Sequence, residues 1–568
     1  MKKIINNTKI TGFLIFTLAF FNFSIAGYAQ ETRAKTITEK PVPTPKSAAL
    51  PTISPTPPAT PTATPTPIQT VTDLQSRIQT RLARPELRRG QVGVKVASLD
   101  TGKVVFESNA EKYFMPASNM KSYTVAAALE KLSPNFRFVT SVFAGALPDA
   151  SGTIRGDLSV YGRGDVSFST SFYENDYYKG LDALATLIAQ AGVKRVEGNL
   201  VGDESYFSGN PIPSSWEWDD LQWYYGAEIS ALAVNDNAVD LRVKPSAVGA
   251  ACAVQALPVN TIVKISNRCI ISAAGTKREL RIIKKLDRNA VEISGTMPAD
   301  DKGFEGYVAV SRPAELFIEL LRGLLIQKGV VITGQNRVIG AKEKLAAANS
   351  NSPPIEITKV ESPPFNIIAA KTMKPSQNLY TETILWTLGE QVGRKEETPT
   401  ETVMVTGSNG TTPAPIIDKK LSGATSVELG IKTVQNFLRQ IGVPPDSVIQ
   451  SDGSGLSRHN LITPDSAVKL YTYMAKSQYA DVWRNSLTIG AVDGTLRNRF
   501  KGTSAAANVR GKTGTIDQVS SLSGYVNTKT GERLVFSILV NGVTDTKTRQ
   551  AAIDEIVLLL SDFNGRID

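Results

Sequence analysis

The order of apolar and polar residues in the first folded part of the chain predicts a helix, a hairpin and a second helix. Residues 73–87 carry apolar side chains at helical spacing, whereas residues 92–99 alternate as a half-buried strand does. A turn at residues 100–103 leads into a partner strand at residues 104–106. Helical spacing then runs from Ser118 to Leu129, so a serine lies at the start of an apolar helix.

Residues 146–345 have a different pattern, with short alternating strands, many glycines and three of the five tryptophans. We interpret this region as β-rich insertion that divides one domain into a first part, residues 71–145, and a second part, residues 346–568. Helical spacing occurs at residues 313–328 and again at residues 366–388, where we expect the first fold to resume.

The C-terminal pattern predicts an antiparallel hairpin and a closing helix. Apolar runs at residues 522–526 and 534–540 are separated by a turn at residues 527–532. Residues 549–563 have so many apolar positions that we expect this helix to pack on the sheet. An amphipathic helix on a membrane surface is the alternative.

The first 29 residues have the pattern of an export signal, because lysines precede an apolar run over residues 13–26 and small residues follow. An uncleaved membrane anchor is the alternative, although the run is shorter than the roughly 20 residues that a span needs. Residues 30–70 are rich in Pro and Thr, which is typical of a linker. The protein is therefore expected to be secreted across the cytoplasmic membrane, into the periplasm or cell wall.

The composition gives little indication of a binding partner. A net charge of +10 on 568 residues is modest, and no basic cluster with interleaved aromatic residues indicates nucleic acid. An anionic wall polymer or membrane surface remains open as a partner, although ordinary solvated lysines explain the balance. The two cysteines, Cys252 and Cys269, are expected to form a disulfide in an exported protein, with free buried thiols as the alternative.

The chain contains a single histidine, His459, and this count excludes several hydrolases. Zinc peptidases usually need two or more histidine ligands, so no metal centre is expected. A Ser-His-Asp triad would need His459 as its base, yet no Gly-x-Ser-x-Gly elbow supplies the serine. A cysteine protease would need one of the expected disulfide partners. Lysine therefore remains as the base for a hydrolase.

Ser118 and Lys121 lie three residues apart in the predicted second helix, so their side chains share one face. A free lysine is protonated at neutral pH, whereas burial and a second cation lower its pKa. The spacing alone is weak evidence, because it recurs at Ser466 and Lys469. That copy follows a Thr-Pro-Asp helix start, and we interpret it as structural.

A second candidate element consists of Lys512, Thr513 and Gly514, followed by Thr515. On an edge strand beside the nucleophile, an amine and a hydroxyl can hold a substrate carboxylate, and the glycine allows the substrate backbone to approach. Another Lys-Thr-Gly triplet, residues 529–531, falls at the tip of the predicted C-terminal hairpin. Turn geometry explains that copy.

A third candidate element lies in residues 452–460, a loop of small polar residues before a helix. Ser457 in this loop has the chemistry to relay a proton to a leaving amine, and a nearby amide could hold the acyl side chain of a substrate. A capping loop without a catalytic role is the alternative.

In their order and spacing, these elements resemble the motifs of the penicillin-recognising serine enzymes, Ser-x-x-Lys, Ser-x-Asn and Lys-Thr-Gly. The gap of more than 300 residues between Lys121 and Ser457 is similar to that of low-molecular-mass class C penicillin-binding proteins, of the D-alanyl-D-alanine carboxypeptidase and endopeptidase type. Further segments that resemble the family are residues 202–207, 216–219, 225–227, 230–237, 374–378 and 494–500. The resemblance implies an α/β (α+β) transpeptidase-like domain, in which helices sandwich an antiparallel sheet and β-rich domains are inserted.

The resemblance also implies the roles of the candidate residues. Ser118 would be the acylated nucleophile and Lys121 its base, Ser457 would relay the proton, and Lys512 with Thr513 would bind the terminal carboxylate. The implied reaction is attack on the penultimate D-alanine carbonyl of a peptidoglycan stem peptide, followed by hydrolysis of the ester. β-Lactams would acylate the same serine, and no metal or organic cofactor is needed.

The family's Ser-x-Asn pattern is not matched from Ser457. Two residues later stands His459, and the asparagine follows one place further on as Asn460. Either is therefore a candidate for substrate binding. The oxyanion is expected between the backbone N–H groups of Ser118 and Thr515. A β-lactamase or esterase on the same scaffold, and a catalytically idle wall-binding protein, are the alternative functions.

Overall fold

The computed structural model describes residues 67–347, 353–397, 405–407, 410–412 and 423–567. The predicted export signal and most of the predicted linker, residues 1–66, lie outside these ranges. The helices are α1 (Val71–Leu82), α2 (Met120–Leu132), α3 (Lys179–Gln190), α4 (Pro313–Gln327), α5 (Ala341–Ala347), α6 (Phe365–Met373), α7 (Asn378–Leu388), α8 (Arg394–Glu397), α9 (Ser426–Gln440), α10 (Pro464–Met474), α11 (Ala480–Ser486) and α12 (Thr546–Asp562).

The strands of the described residues are β1 (Gln91–Ser98), β2 (Val104–Ser108), β3 (Val139–Ala144), β4 (Thr153–Ile154), β5 (Leu158–Tyr161), β6 (Arg195–Val196), β7 (Leu200–Asp203), β8 (Ala238–Lys244), β9 (Ala253–Leu257), β10 (Lys264–Ser272), β11 (Arg281–Lys284), β12 (Ala290–Pro298), β13 (Phe304–Ala309), β14 (Val331–Ile332), β15 (Asn336–Ile339), β16 (Ile355–Glu361), β17 (Val405–Gly407), β18 (Gly410–Thr412), β19 (Val448–Ile449), β20 (Leu461–Ile462), β21 (Thr488–Ile489), β22 (Arg510–Ile516), β23 (Val519–Asn527) and β24 (Arg533–Asn541).

The hairpins predicted at the two ends of the folded chain combine in one antiparallel sheet, with the order β2-β1-β24-β23-β22-β21. β24 is buried at every residue but its first, because helices cover both faces of the sheet. α1 and α12 pack on the face that carries Phe536 and Ile538, and α2 and α10 pack on the face that carries Val535 and Leu539. The expected sandwich of helices around an antiparallel sheet is confirmed.

The predicted helix over residues 366–388 forms as two helices. α6 ends at Met373 and α7 begins at Asn378, with Pro375 in the gap between them. Proline has no backbone N–H and its ring clashes with the preceding helical turn, so it interrupts a helix. The break creates a polar turn between two buried helices.

Among the described residues, four further sheets lie wholly or mostly in the region predicted as insertion. They have the orders β13-β8-β9, β10-β12-β11, β14-β6-β4 and β15-β7-β5-β3-β16. The last of these includes β3 and β16, which lie just outside residues 146–345, so this sheet crosses both predicted boundaries. Cys252 and Cys269 are joined by a disulfide within the β-rich region, as expected. No helix in the described ranges is long and apolar enough to cross a membrane.

Candidate active site

Ser118 lies in a tight turn that leads directly into α2. The preceding residue, Ala117, has a left-handed backbone (φ 46°), which a non-glycine residue keeps only when its surroundings enforce it. Part of that enforcement comes from β23, where the Ser521 hydroxyl donates to the Pro116 carbonyl at 2.7 Å. The turn is thereby fixed against the sheet, and Ser118 keeps partial exposure to solvent.

The Lys121 amine lies one helical turn further along α2 and contacts the Ser118 hydroxyl. Its Nζ is 3.0 Å from Ser118 Oγ, 2.6 Å from Asn378 Oδ1 and 2.7 Å from the Ser454 carbonyl oxygen. The side chain is fully buried. Burial lowers the pKa of Lys121 to about 7, against the opposite effect of two nearby carboxylates. An unprotonated amine therefore faces a hydroxyl in a substantial share of molecules at neutral pH.

A second buried amine, that of Lys512, comes from β22. Its Nζ donates to Ser376 Oγ at 2.8 Å and to the Thr513 carbonyl at 2.9 Å. Burial first, and the charge of Lys121 second, hold the pKa of Lys512 well below its usual range. Lys512 thus lies close enough to Lys121 for the charge of Lys121 to act on its pKa, and the Lys121 amine contacts Ser118 Oγ.

Residues at the polar turn between α6 and α7 contact both amines. Ser376, which has a left-handed backbone (φ 67°), contacts Lys512, and Asn378 two residues later contacts Lys121. Sequence reasoning missed both residues as site residues, although it counted residues 374–378 among the segments that resemble the family. The signal was available, because Ser376-Gln377-Asn378 satisfies the Ser-x-Asn pattern without a shift.

The loop over residues 452–460 is organised around a buried carboxylate. Asp452 accepts hydrogen bonds from the backbone of Gly455 (2.7 Å) and Ser457 (2.7 Å), and from the side chains of Asn460 (2.8 Å) and Trp216 (2.9 Å). These four donors give the carboxylate a full set of partners. The loop is therefore held in one conformation beside α2.

The residues of this loop that were predicted for catalysis have other contacts. Ser457 Oγ accepts from the His459 backbone at 3.1 Å, and the His459 side chain is exposed. The buried Asn460 amide accepts from the backbone N–H of Ser451, just before the loop, and donates to Asp452. In the described part of the chain, no hydrogen bond joins these three residues to Ser118 or Lys121. The side-chain contacts with Lys121 and Lys512 come from Asn378 and Ser376 instead.

A second buried carboxyl, Glu382 on α7, supports the same loop. It accepts from the backbone N–H groups of Gly453 (2.9 Å) and Ser454 (2.7 Å), and the Ser454 carbonyl in turn accepts from Lys121. Burial, and then the charge of Asp452, raise the pKa of Glu382 to about 8. Within the described ranges, no group of three or more His, Cys, Asp or Glu side chains is arranged to hold a metal ion.

The Lys-Thr-Gly strand lies directly against the Ser118 turn. A Cβ at Gly514 would stand 2.5 Å from the Pro116 carbonyl oxygen and 3.0 Å from the Ser118 backbone nitrogen, so only glycine allows this approach. The Thr513 hydroxyl donates to Thr495 Oγ1 at 2.6 Å. Thr515 follows Gly514 on the same strand and is partly exposed.

The two other copies of the motifs have structural roles in the described chain. Ser466 lies at the start of α10, where its N–H donates to the Thr463 hydroxyl and its own hydroxyl bonds to Tyr123. Lys469 forms an ion pair with Asp465. The triplet at residues 529–531 forms the turn between β23 and β24, with Gly531 in a left-handed conformation (φ 85°).

Comparison with known proteins identifies the family of this chain. The D-Ala-D-Ala carboxypeptidase 3 (S13) family matches residues 74–408 and 415–563. A D-alanyl-D-alanine carboxypeptidase of Actinomadura sp. (strain R39) is 30% identical over 492 residues, which are 85% of this chain and 83% of that protein. The D-alanyl-D-alanine carboxypeptidase DacB of Haemophilus influenzae is 22% identical over 81% of this chain and 88% of that protein.

The fold is also that of a penicillin-binding protein. The crystal structure of penicillin-binding protein 4 from Haemophilus influenzae superposes with a TM-score of 0.67 at 22% identity, covering 86% of this chain and 97% of that one. The resemblance that the sequence motifs predicted is therefore confirmed. The chain belongs to the D-Ala-D-Ala carboxypeptidase 3 (S13) family and is a serine-type D-Ala-D-Ala carboxypeptidase.

Proposed function

We propose that Ser118 is the nucleophile of this peptidase and that Lys121 is its base. One observation carries the proposal: the Lys121 amine is fully buried, lies 3.0 Å from Ser118 Oγ and has its pKa lowered to about 7. A lysine serves as a general base only when its pKa lies near the working pH. The substrate is then a peptidoglycan stem peptide that ends in D-alanyl-D-alanine, or a cross-bridge of the same chemistry.

We propose Ser376, in place of Ser457, as the hydroxyl that relays the proton to the leaving amine. Its contact with Lys512 at 2.8 Å supports this role, because a hydroxyl next to an amine can receive a proton on one side and donate on the other. Asn378 holds the Lys121 amine at 2.6 Å. Under this proposal Ser457, His459 and Asn460 belong to the supporting loop.

Lys512 and Thr513 are the proposed ligands of the substrate's terminal carboxylate. The arriving anion favours the protonated form of Lys512, whose pKa is otherwise depressed by burial. Gly514 supports the proposed oxyanion site, because a glycine lets β22 approach the Ser118 backbone N–H closely and Thr515 is the next residue on that strand.

The proposed reaction has two steps. Ser118 Oγ attacks the penultimate D-alanine carbonyl while its proton passes to Lys121, and the tetrahedral oxyanion collapses with breakage of the peptide bond. The proton that Lys121 took returns to the leaving amine through Ser376, so D-alanine or the cross-linked amine departs and the Lys121 amine is unprotonated again. Water then attacks the ester with Lys121 as base, which releases the acid and restores the Ser118 hydroxyl. We expect β-lactams to acylate the same oxygen, and secretion to place the enzyme in the periplasm or cell wall.

Acylation and product analysis test this proposal together. The purified protein is incubated with a fluorescent penicillin, and in parallel with a pentapeptide muropeptide and a cross-linked muropeptide dimer, whose products are resolved by mass. The parent protein should be labelled and release D-alanine, the amine of the cross-bridge, or both. Ser118→Ala should lose labelling and turnover, and the penicillin adduct should map to Ser118.

The chain supplies a matched control in Ser466, which also stands three residues before a lysine. Ser466→Ala should keep the label and the activity, because its hydroxyl only bridges Tyr123 and the start of α10. An adduct on any residue other than Ser118 would refute the proposed nucleophile. Rapid release of the adduct, with no product from either muropeptide, would indicate a β-lactamase.

A further inference from the structure

Three consecutive residues of the β-rich region, Asn235, Asp236 and Asn237, have left-handed backbones with φ of 46°, 58° and 52°. A run of this kind is unfavourable for L-residues and persists only where neighbouring groups impose it. Here the Asn235 N–H donates to the Phe168 carbonyl (2.9 Å), and the Asn237 side chain donates to the Glu228 carbonyl (2.8 Å). The run therefore has a fixed shape, with Asp236 at its centre.

The shape of this run directs the Asp236 carboxylate to α7 and the turn that precedes it. Oδ1 accepts from Tyr380 (2.6 Å) and from Ser169 (2.6 Å), and Oδ2 accepts from Gln377 Nε2 at 2.9 Å. All three partners are neutral donors, and two of them belong to the turn and the helix that carry the proposed catalytic residues. The carboxylate therefore links the β-rich region by hydrogen bonds to the α6–α7 turn and to α7.

Gln377 is the middle residue of the turn that joins the two amines. It is the N-cap residue of α7, yet its side chain makes no capping bond to the helix and extends to Asp236 instead. Its Oε1 is buried without a partner among the described residues, so the contact with Asp236 is the side chain's one hydrogen bond there. The neighbours on either side, Ser376 and Asn378, contact Lys512 and Lys121.

We propose that Asp236 is a positioning residue for the catalytic turn. Through Gln377 it holds Ser376 and Asn378 at the spacing that keeps each of them on its amine, so the β-rich region contributes directly to acylation. A second hydrogen bond to the same region supports this role, since the Asn378 amide donates to the Tyr225 carbonyl at 2.9 Å. The inference rests on the proposed function of Ser118 and Lys121.

The test removes the contact from both sides. Gln377→Met removes it without changing a residue of the β-rich region, and Asp236→Ala removes the carboxylate to which Gln377 donates. For each variant, active-site titration with a penicillin gives the fraction of molecules that can be acylated, and rapid kinetics give the acylation rate constant and the penicillin Kd. We expect the rate constant to fall roughly 10- to 100-fold, with the titratable fraction and the Kd little changed, because a displacement of about 1 Å has such effects. A purely structural role would lower the titratable fraction instead.

Asp236→Asn and Gln377→Glu are also measured singly and together. The double variant places a donor opposite an acceptor, and it should be acylated faster than the two single changes predict when combined. Ser169→Ala is the matched control, because it removes another partner of the same carboxylate and should leave the rate constant within about threefold of the parent value. The inference would be overturned if Gln377→Met were acylated at the parent rate. It would also be overturned if substitutions at Asp236 and Gln377 changed the acylation rate constant independently of each other. A parent protein that is not acylated at Ser118 would instead refute the proposed function.

Discussion

Lys121 and Asn378 are 257 residues apart in the sequence, yet the lysine amine donates to the asparagine Oδ1 at 2.6 Å. The asparagine NH2 group donates on its other side to the Tyr225 carbonyl. Because the two ends of an amide differ, this second bond fixes which end faces the lysine. An acceptor is thus directed at the amine that faces Ser118. The orientation of the proposed base depends on a residue from the β-rich region.

The pKa of Lys121 predicts how acylation depends on pH. Burial lowers that pKa to about 7, and only the unprotonated amine accepts the proton of Ser118. The rate constant for acylation by a β-lactam should therefore rise about tenfold per pH unit below pH 7 and level off above it. Stopped-flow acylation between pH 5 and 9 checks this profile. A rate that does not change between pH 6 and 8, or that still rises about tenfold per unit at pH 9, would contradict Lys121 as the base.

Two serine substitutions distinguish the candidates for the proton relay. Ser376→Ala removes the hydroxyl that contacts Lys512, and we expect product release from a muropeptide to fall about 10²- to 10⁴-fold, as loss of an acid–base group does. Ser457→Ala removes only a hydroxyl that accepts from the His459 backbone, and should cost less than about tenfold. Both are measured as kcat/KM on the same substrate. The reverse order of the two effects would restore Ser457 as the relay.

Sequence reasoning succeeded where the determining contacts are local. The spacing of Ser118 and Lys121 depends on one helical turn, and the hairpins depend on apolar runs around a turn. It did not name Ser376, because the Ser-x-Asn pattern at residues 376–378 is local but its contact with Lys512 spans 136 residues and is visible only in the fold. The prediction of one helix across residues 366–388 has a different cause, because it overlooked Pro375, which lies in the break between α6 and α7.

The proposed carboxylate contact predicts a change of selectivity in Lys512→Met. The parent should hydrolyse a peptide with a free terminal carboxylate much faster than its C-terminal amide, and the variant should lose about 10- to 100-fold of that preference, as a hydrogen bond to a charged group contributes. Lys529→Met is the matched control from the other Lys-Thr-Gly triplet, where the lysine forms an exposed ion pair with Asp562. Unchanged preference in Lys512→Met would assign the carboxylate to another residue.

Glu382 predicts a pH-dependent stability that its amide variant should lose. Burial raises the pKa of Glu382 to about 8 from an ordinary value near 4.5, so the folded chain binds this proton more tightly than the unfolded chain. Its contribution to the free energy of unfolding is fully present below about pH 4.5 and is lost as the pH rises through 8, with a slope of at most about 1.4 kcal/mol per unit. Glu382→Gln should therefore gain stability relative to the parent between pH 5 and 8, measured as the difference in thermal midpoints.

Glu428→Gln is the control, because the exposed Glu428 has its pKa lowered by the Thr425 backbone N–H. The difference in thermal midpoint between this variant and the parent should stay constant over that range. A constant difference for Glu382→Gln as well would mean that Glu382 is ionised throughout, and that Lys121 faces two buried negative charges at neutral pH.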